Sequence, residues 1–378
     1  MAFDPLEIRI SLQKLLTGLI LIIVPLSVVG LYLTFESQTS LQGEIGMYVK
    51  GIAQAKAAAT AQYVHDRLAD VSAITLEPVV ADAVTSSNRA YEPKNNAATT
   101  ARIENLQKNW NKPTTDSFVI GMLSSATSRL LRRYHDSDPR FLEIIVADEN
   151  GATVAATNKP VNYVQADNAY WQAVYAQGRG AVHVTELRYD EPSKSYYVGI
   201  AAPILDATSG RFLGAVTTLV DMSGLFAFLN REQIGTTGRT VLVRDDGAIV
   251  SGPNVNPGMK LQSEEFAGVS DALGTLQGRQ TGYVRANMRS GNRIIGFADT
   301  GLKESYPNLG WFIMVSQDEQ EALAPVRTVG RFALLMVVLG LLMLTMLAAY
   351  FFLHRKQELA QIEVMRHEEG FKGRATSA

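Results

Sequence analysis

The stretches ADENGATV at residues 147–154 and VRDDGAIV at residues 243–250 decide the fold of this chain. In each, an apolar run leads into a turn that ends in glycine, and a second apolar run leaves it, which is the pattern of a β-hairpin. Glycine suits such a turn because its backbone adopts positive φ without strain, and aspartate tolerates the same region. The two stretches begin 96 residues apart. The chain therefore specifies the same hairpin twice.

The sequence around the two hairpins repeats in the same order. After the first hairpin, residues 167–180 predict a short helix with Asp167 as its N-cap, and strand patterns follow. After the second hairpin, strand patterns follow again. The dipeptides Leu213-Gly214 and Leu309-Gly310 also lie 96 residues apart, which indicates that one module has been duplicated. We predict an α+β fold with two tandem antiparallel-sheet modules, each with helices on one face.

Two long apolar segments flank the repeated modules. Residues 15–35 and residues 332–353 contain 21 and 22 residues without a charged side chain, and about 20 apolar residues cross a bilayer as a helix. For the first segment a cleavable signal peptide is the alternative, but its apolar run exceeds the usual length and no small-residue cleavage site follows promptly. We therefore predict two transmembrane helices that remain in the mature protein.

Basic residues beside these segments predict their orientation. Arg9 and Lys14 precede the first segment, and His354, Arg355 and Lys356 follow the second. By the positive-inside rule both ends of the chain face the cytoplasm. The sequence thus predicts a two-pass protein of the inner (plasma) membrane, with the repeated modules in the periplasm.

The region after the first apolar segment begins with a helical pattern. From Ser37 to about Leu76 it contains no proline and many alanines, and apolar residues recur at three- and four-residue steps. We predict a long stalk helix within residues 37–90, a membrane-distal module at 91–235 and a membrane-proximal module at 236–318. The amphipathic pattern suits both packing on its own modules and formation of a homodimer, and we expect both.

The predicted cytoplasmic parts are short. Residues 1–14 form the N-terminus, and the tail at residues 354–378 has 25 residues, fewer than the roughly 50 that an independent domain needs. We therefore expect the signal output to come from a separate cytoplasmic protein or from a longer natural chain.

Composition and motifs argue against several function classes. A net charge of -2 lacks the basic excess of a nucleic-acid binder. The chain has no cysteine, which excludes disulfides and thiolate metal sites. Its five histidines are scattered, and no P-loop, Gly-x-Ser-x-Gly or Gly-x-Gly-x-x-Gly motif is present. We predict no catalytic residue, no metal site and no cofactor.

The chain resembles the double Cache extracytoplasmic sensor domain of prokaryotic transmembrane receptors. The likeness rests on two apolar segments around a long helix and tandem sheets, and on the strand motif YYVGIAAPILDATSGRFLGAVTTLVDM at residues 196–222. It covers about residues 37–318. It implies that the membrane-distal module binds a small molecule and the proximal module relays the signal to a chemotaxis, kinase or cyclic-dinucleotide output.

Amino-acid-binding members of that family share a motif that this chain matches only in part. They carry an arginine two residues before a tryptophan and a tyrosine directly after it. With Trp171 at the tryptophan position, Ala169 replaces the arginine and Gln172 replaces the tyrosine. The two later acidic positions of the motif are kept as Asp190 and Asp221. The resemblance therefore implies a site without the clamp for a ligand carboxylate.

Each residue of this site also has a structural interpretation. Trp171 suits a hydrophobic core, and Asp190 suits an exposed turn. Asp221 suits the N-cap of a helix that begins at Ser223. Arg188, which stands where the family has tyrosine, is either a solvated strand residue or a displaced positive charge. The predicted ligand-binding set is Trp171, Asp190, Asp221, Tyr170, Arg188 and Tyr197.

The retained residues favour one class of ligand. An arginine fork binds a carboxylate bidentately, whereas carboxylates beside an aromatic wall hold an ammonium group. We therefore expect a small cationic or neutral ligand, such as an amine. The alternative function is an extracytoplasmic adaptor whose pocket is vestigial and filled by side chains. An extracytoplasmic hydrolase is a third hypothesis, but the sequence contains no recognisable set of catalytic residues that supports it.

Membrane topology provides a first test. A cysteine introduced at Ser195 should react with a membrane-impermeant thiol reagent from outside the cell, whereas one at Ser377 should react only after the membrane is opened, because basic residues hold the tail inside. The natural chain lacks cysteine and serves as the unlabelled control. Labelling of both positions from the same side would refute the two-pass arrangement.

Overall fold

The computed structural model describes residues 12–91, 96–114, 116–176, 179–191, 194–231, 234–253, 261–273, 281–324, 334–350 and 352. The predicted tail at 354–378 and most of the predicted N-terminus at 1–14 lie outside these residues. Two compact units are present. One comprises Gly46–Glu321, and the other draws on the described residues of Met1–Ile45 and Ala322–Ala378.

The second of these units contains the two apolar segments of the sequence. Helix α1 (Leu12–Thr75) covers the whole of the first segment and includes Pro25. Residues 334–350 of the second segment are helical, and Gly340 lies against Ile23. Within the described residues, no helix is both long and apolar enough to cross a membrane.

Four helices separate α1 from the first sheet. The predicted stalk over 37–90 is divided, because α1 ends at Thr75 and Pro78 opens a new helix. Proline is tolerated in a first helical turn, where its missing N–H has no intrahelical partner. The four helices are α2 (Pro78–Arg89), α3 (Asn96–Trp110), α4 (Ser117–Leu123) and α5 (Ala126–Ser137).

The distal module contains an antiparallel sheet with strand order β2-β1-β6-β5-β3, in which β4 also pairs with β5. The strand β6 is therefore central. The elements are β1 (Phe141–Asp148), β2 (Thr153–Ala156), α6 (Ala169–Tyr175), β3 (His183–Val184), β4 (Arg188–Asp190), β5 (Ser195–Leu205) and β6 (Phe212–Asp221).

The proximal module repeats this topology with strand order β8-β7-β11-β10-β9. Helix α7 (Ser223–Arg231) connects the two modules along the chain. The remaining elements are β7 (Arg239–Arg244), β8 (Ile249–Ser251), α8 (Glu264–Leu273), β9 (Thr281–Met288), β10 (Gly291–Asp299), β11 (Trp311–Asp318) and α9 (Glu319–Ala322).

Hydrogen bonds of the two hairpins confirm the duplication. In the first, Asp148 N–H donates to Ala152 C=O, and in the second Arg244 N–H donates to Ala248 C=O. Both turns contain a glycine with positive φ, 74° at Gly151 and 83° at Gly247. These glycines satisfy the backbone requirement that the sequence predicted.

The predicted equivalence of the two Leu-Gly dipeptides is wrong by one residue. Asp148 pairs with Gly214 in the distal sheet, whereas its counterpart Arg244 pairs with Trp311. The central strands are therefore 97 residues apart, while the hairpins are 96 apart. One extra residue lies between the hairpin and the central strand of the proximal module. Gly310 therefore lies just before β11, whereas Gly214 lies within β6.

Helix α1 packs on one face of both sheets. On the distal sheet, the Tyr63 hydroxyl of α1 donates to the Asp221 carbonyl over 3.1 Å. On the proximal sheet, a side chain at Gly296 would place its Cβ 2.6 Å from the backbone of Val49 in α1. The opposite faces pack against α6 and α8, whose apolar residues join the two sheet cores. Each sheet therefore has a common helix behind it and its own short helix in front.

The close approach at Gly296 predicts a stability effect. Gly296→Ala should lower the free energy of unfolding by about 1–3 kcal/mol, the usual cost of overpacking, because the added Cβ meets backbone atoms that cannot rotate away. Gly252→Ala is the matched control, since its Cβ would contact Val241 at an ordinary 3.4 Å. Urea unfolding measures both. Equal losses in the two variants would show that α1 does not depend on the glycine.

Candidate functional site

Three predicted residues form one row across three strands of the distal sheet. Arg188 of β4 pairs with Tyr197 of β5, and Tyr197 pairs with Asp221 of β6. Residues directly opposed in an antiparallel sheet project their side chains to the same face. The register therefore gathers residues from positions 188 to 221 of the chain on one face, although no spacing in the sequence relates them.

Tyr170 reaches the same face from helix α6. Asn168 is the N-cap of this helix, and its side chain accepts from Tyr170 N–H over 3.1 Å. The predicted cap, Asp167, is therefore one residue too early. The Tyr170 ring lies 5.6 Å from the Arg188 guanidinium, within the range of a cation–π contact.

The hydroxyls of Tyr170 and Tyr197 interact directly. Burial, together with the neighbouring Tyr170 to which it is hydrogen-bonded, raises the pKa of Tyr197 to about 12. The Tyr197 phenol therefore stays neutral at physiological pH, and both hydroxyls are able to donate or accept a hydrogen bond. They supply the polar, uncharged part of the site.

Trp171 points away from this group. Its ring stacks on Tyr175 with centroids 5.0 Å apart, and its indole N–H donates to the Asp148 carbonyl over 3.3 Å. The same ring contacts Phe212 at the opposite end of β6 from Asp221. Nine residues of strand separate these two positions by about 30 Å. Trp171 therefore has the contacts of a core residue, which was the structural alternative for it.

Asp221 has a clear structural role as well as its place in the row. Its Oδ1 accepts from the Ser223 backbone N–H over 2.9 Å and from the Ser223 hydroxyl over 2.6 Å, at the start of α7. The predicted cap lies one residue too early, because the Met222 carbonyl accepts from Phe226 N–H over 3.0 Å, but the Asp221 side chain still satisfies the N–H of the first residue of α7. The backbone N–H of Asp221 also donates to the Arg140 carbonyl over 2.8 Å. Asp221 thus joins β6 to α7 and to the segment before β1.

Glu143 belongs to the site, although it was missing from the predicted set. It pairs with Leu219 of β6, two residues from Asp221, and Leu219 pairs with Gly199 of β5. Burial raises the pKa of the Glu143 carboxyl, and the nearby Asp190 carboxylate raises it further. The sequence did contain a signal, because a single charged residue interrupts the apolar strand at 141–147 and a buried charge requires a partner.

The central strand shows that this face is open. On the site's face, Thr217 and Leu219 of β6 are partly exposed, whereas Thr218 and Val220 on the α1 face are buried. Water reaches the middle of a sheet only where no element packs above it. The polar side chains therefore surround a solvent-accessible part of this face, which we call the cleft.

The cleft carries an excess of negative charge. Glu143, Asp190 and Asp221 contribute carboxyl groups, and Arg188 contributes one guanidinium that already stacks on Tyr170. Such a site can pair with a cation and can hydrogen-bond to neutral groups through its tyrosines. Among the described residues, those of this site included, no group of three acidic or histidine side chains could hold a metal ion.

A separate cleft of about 970 Å³ lies between α3 and residues 162–168. Its polar lining includes Glu104, Lys108 and Asn168, but no member of the predicted set. The Gln107 side chain in its wall accepts from the backbone N–H groups of Tyr163 and Val164 over 2.9 and 3.1 Å. This large cleft therefore lies apart from the charged groups on the sheet.

Comparison with known proteins identifies the family. The profile described as Cache domain, of the double Cache type, matches residues 37–326. The chain belongs to the Cache domain family. This match confirms the resemblance found in the sequence, and it covers both sheet modules.

Solved structures of receptor ligand-binding domains are similar to this chain at low sequence identity. The domain of the Pseudomonas aeruginosa PAO1 chemoreceptor PctC, in complex with GABA, is 16% identical with a TM-score of 0.46, covering 72% of this chain and 100% of that chain. The sensory domain of Campylobacter jejuni Tlp3 with isoleucine is 12% identical with a TM-score of 0.48, covering 75% and 97%. No curated protein matches the chain.

The raised pKa of Glu143 predicts a pH effect on stability. Because its pKa is higher in the folded chain than the usual value of about 4.3, the folded state binds more protons between the two values. Stability therefore falls as pH rises through that window. Glu143→Gln removes this loss, so the variant should be more stable than the wild type at neutral pH and should lose its advantage in acid.

Thermal unfolding between acidic and neutral pH measures this difference. Glu104→Gln, at an exposed position of α3, is the matched control and should follow the wild type at every pH. An unchanged pH profile in Glu143→Gln would show that Glu143 is not buried beside another carboxylate.

Proposed function

We propose that this Cache protein is a membrane-anchored extracytoplasmic sensor that binds a small molecule on the open face of the distal sheet. The observation that carries the proposal is the gathering of Glu143, Tyr170, Arg188 and Tyr197 around the partly exposed central strand. Polar groups that converge in an accessible cleft are the usual mark of a binding site.

The ligand that suits this cleft is cationic or neutral, such as a small amine. Three carboxyl groups face one guanidinium, and the aromatic rings of Tyr170 and Tyr197 border them. An ammonium group would relieve the repulsion between Glu143 and Asp190, whereas a carboxylate would add to it. A dicarboxylate or an ordinary amino acid would need a positive group that Ala169 does not supply.

We further propose a two-pass arrangement in the inner membrane, with both termini in the cytoplasm and the Cache modules in the periplasm. The uncharged segments at 15–35 and 332–353 and their flanking basic residues support this topology. In this arrangement a homodimer passes the signal through the second segment to a separate cytoplasmic protein of the chemotaxis, kinase or cyclic-dinucleotide type.

An adaptor with a vestigial pocket is the second candidate. The structural contacts of Trp171 and the capping role of Asp221 favour it, because two of the predicted ligand residues already have partners in the fold. The two functions differ in one measurable property. A sensor gains stability when its ligand binds, whereas the adaptor gains none from any small molecule.

A thermal-shift screen on the purified full chain tests the sensor. Small amines and neutral compounds should raise the unfolding temperature saturably, and simple carboxylates should not. Asp190→Asn and Glu143→Gln should each weaken the binding of such an amine by about 2 kcal/mol or more. Each substitution leaves the ammonium group of the ligand without one of its charged partners. Asp221→Asn keeps a good capping side chain while removing the charge, so it separates binding from capping.

Glu104→Gln serves again as the control and should bind like the wild type. Stabilisation by carboxylates but not by amines would overturn the ligand class. A complete absence of stabilising compounds would favour the adaptor, whereas full affinity in all three site variants would show that the ligand binds somewhere other than this face of the distal sheet.

A further inference from the structure

The proximal module presents the same sheet positions as the distal cleft, with different residues. Glu143, Leu219 and Gly199 form one row of the distal sheet. The equivalent row of the proximal sheet is Arg239, Ser316 and Ile295. In the adjacent row, the pair Tyr197 and Asp221 corresponds to Arg293 and Asp318. The duplicated face has thus replaced a carboxylate and a phenol with two guanidiniums.

Helix α8 places Glu265 on the proximal face, and this residue has the same position relative to its helix cap as Tyr170 has in α6. Ser263 caps α8, because its hydroxyl accepts from Phe266 N–H over 3.3 Å and its carbonyl accepts from Ala267 N–H over 3.1 Å. Gln165 and Ser263 donate to the equivalent hairpin glycines, so the cap of α8 lies directly at this bond, whereas the cap of α6 lies three residues after it. Tyr170 is two residues after the cap of α6, and Glu265 is two residues after the cap of α8. Glu265 therefore points at the proximal face as Tyr170 points at the distal one.

The Glu265 carboxylate is fully enclosed by donors. Its side chain is 3% exposed and forms an ion pair with Arg239. It also accepts from the Ser263 hydroxyl over 3.0 Å and from the Ser316 hydroxyl over 3.2 Å. A buried carboxylate with an arginine and two hydroxyl donors has the partners that a bound carboxylate ligand would have.

Arg293 is the second guanidinium beside Glu265, so it adds a positive charge that favours an anion at this position. Its guanidinium donates to the Ser316 hydroxyl over 3.2 Å and to the Thr237 carbonyl over 2.7 Å. Burial lowers the pKa of Arg293, and the positive charge of Arg239 lowers it further. Two guanidiniums on one buried face are tolerated because an anion compensates them.

The central strand confirms that the proximal face is occupied. Met314 and Ser316 of β11 are fully buried, whereas the equivalent Thr217 and Leu219 of β6 are partly exposed. The proximal counterpart of the cleft therefore holds protein atoms where the distal one admits solvent.

We propose that the proximal module contains a carboxylate-binding site whose occupant is Glu265 of the same chain. The tether gives this carboxylate a high effective concentration, so free carboxylates do not displace it. The proximal module therefore stays in the occupied state permanently, which leaves the distal cleft as the position open to external molecules. This inference goes beyond the sensor function and does not depend on the identity of its ligand.

Removal of the internal carboxylate should expose the site to an external one. The Arg239 side chain is 37% exposed, so the space left by Glu265→Ala opens to solvent beside it. The full chain carrying Glu265→Ala should unfold at a lower temperature than the wild type. Sodium acetate or formate, exchanged for sodium chloride at constant ionic strength, should restore much of this loss saturably, because it places a carboxylate beside Arg239 and Ser316.

Matched variants separate a binding site from general salt effects. The wild type, Glu264→Ala and Glu265→Gln should show no stabilisation by acetate, since in each the site is filled by a side chain. Acetamide, a neutral compound of the same shape, should not rescue Glu265→Ala.

The proposal fails if acetate does not stabilise Glu265→Ala, or if chloride and acetamide act as well as acetate. It also fails if acetate stabilises the wild type equally. If Glu265→Ala does not fold in chloride, refolding it at increasing acetate concentration tests the same point, namely whether acetate occupies the space left by the Glu265 side chain. Recovery of folded protein with acetate and not with acetamide supports the site, and no recovery overturns it.

Discussion

The buried ammonium of Lys56 joins the elements on which the arrangement of the two Cache modules depends. It lies on α1, is 3% exposed, and donates to the Leu229 carbonyl in the last turn of α7 over 2.8 Å. It also donates to the Thr240 hydroxyl in β7 over 3.0 Å. A helix end leaves carbonyl groups without intrahelical partners, and a cation there is favourable. One side chain therefore holds the stalk helix, the connecting helix and the first strand of the proximal sheet together.

This junction determines which face of each sheet is available for chemistry. Since α1 occupies the same face of both sheets, only the opposite faces can bind a ligand. Each of those faces is covered by one short helix, whose second residue projects into the polar end of the sheet. A change from Tyr170 to Glu265 at this one helix position, together with a change from Glu143 to Arg239 on the first strand, converts an open acidic cleft into a closed ion-pair network. The same backbone plan thus gives two different electrostatic environments.

Connections from the distal cleft to its surroundings follow from the same geometry. Asp221, in the row of the cleft, receives the Tyr63 hydroxyl of α1 on its carbonyl and begins α7 with its carboxylate. On the other side of the cleft, the Val184 carbonyl of β3 accepts from the Asn308 side chain of the proximal module over 2.9 Å. A ligand that favours one position of these strands over another would therefore shift α1 and the proximal module as well. Such a shift is required for transmission of a ligand signal.

The sequence by itself determined the α+β class, the duplication, the presence of a long first helix and the family, because these features are encoded locally. It placed the end of that helix at residue 90, whereas the helix ends at Thr75. Turn glycines, apolar periodicity and proline act within a few residues of their own position. Local signals also predicted Tyr170, Arg188, Asp190 and Tyr197 as ligand-binding residues, and the structure places these four close together. Only the tertiary structure decided that Glu143 joins them and that Trp171 does not. Adjacent residues on a short helix point in different directions, and strand register brings together side chains that are some 80 residues apart in the chain. The offset of 97 in the central strand likewise appears only in the pairing, since identical dipeptides in the sequence carry no information about register.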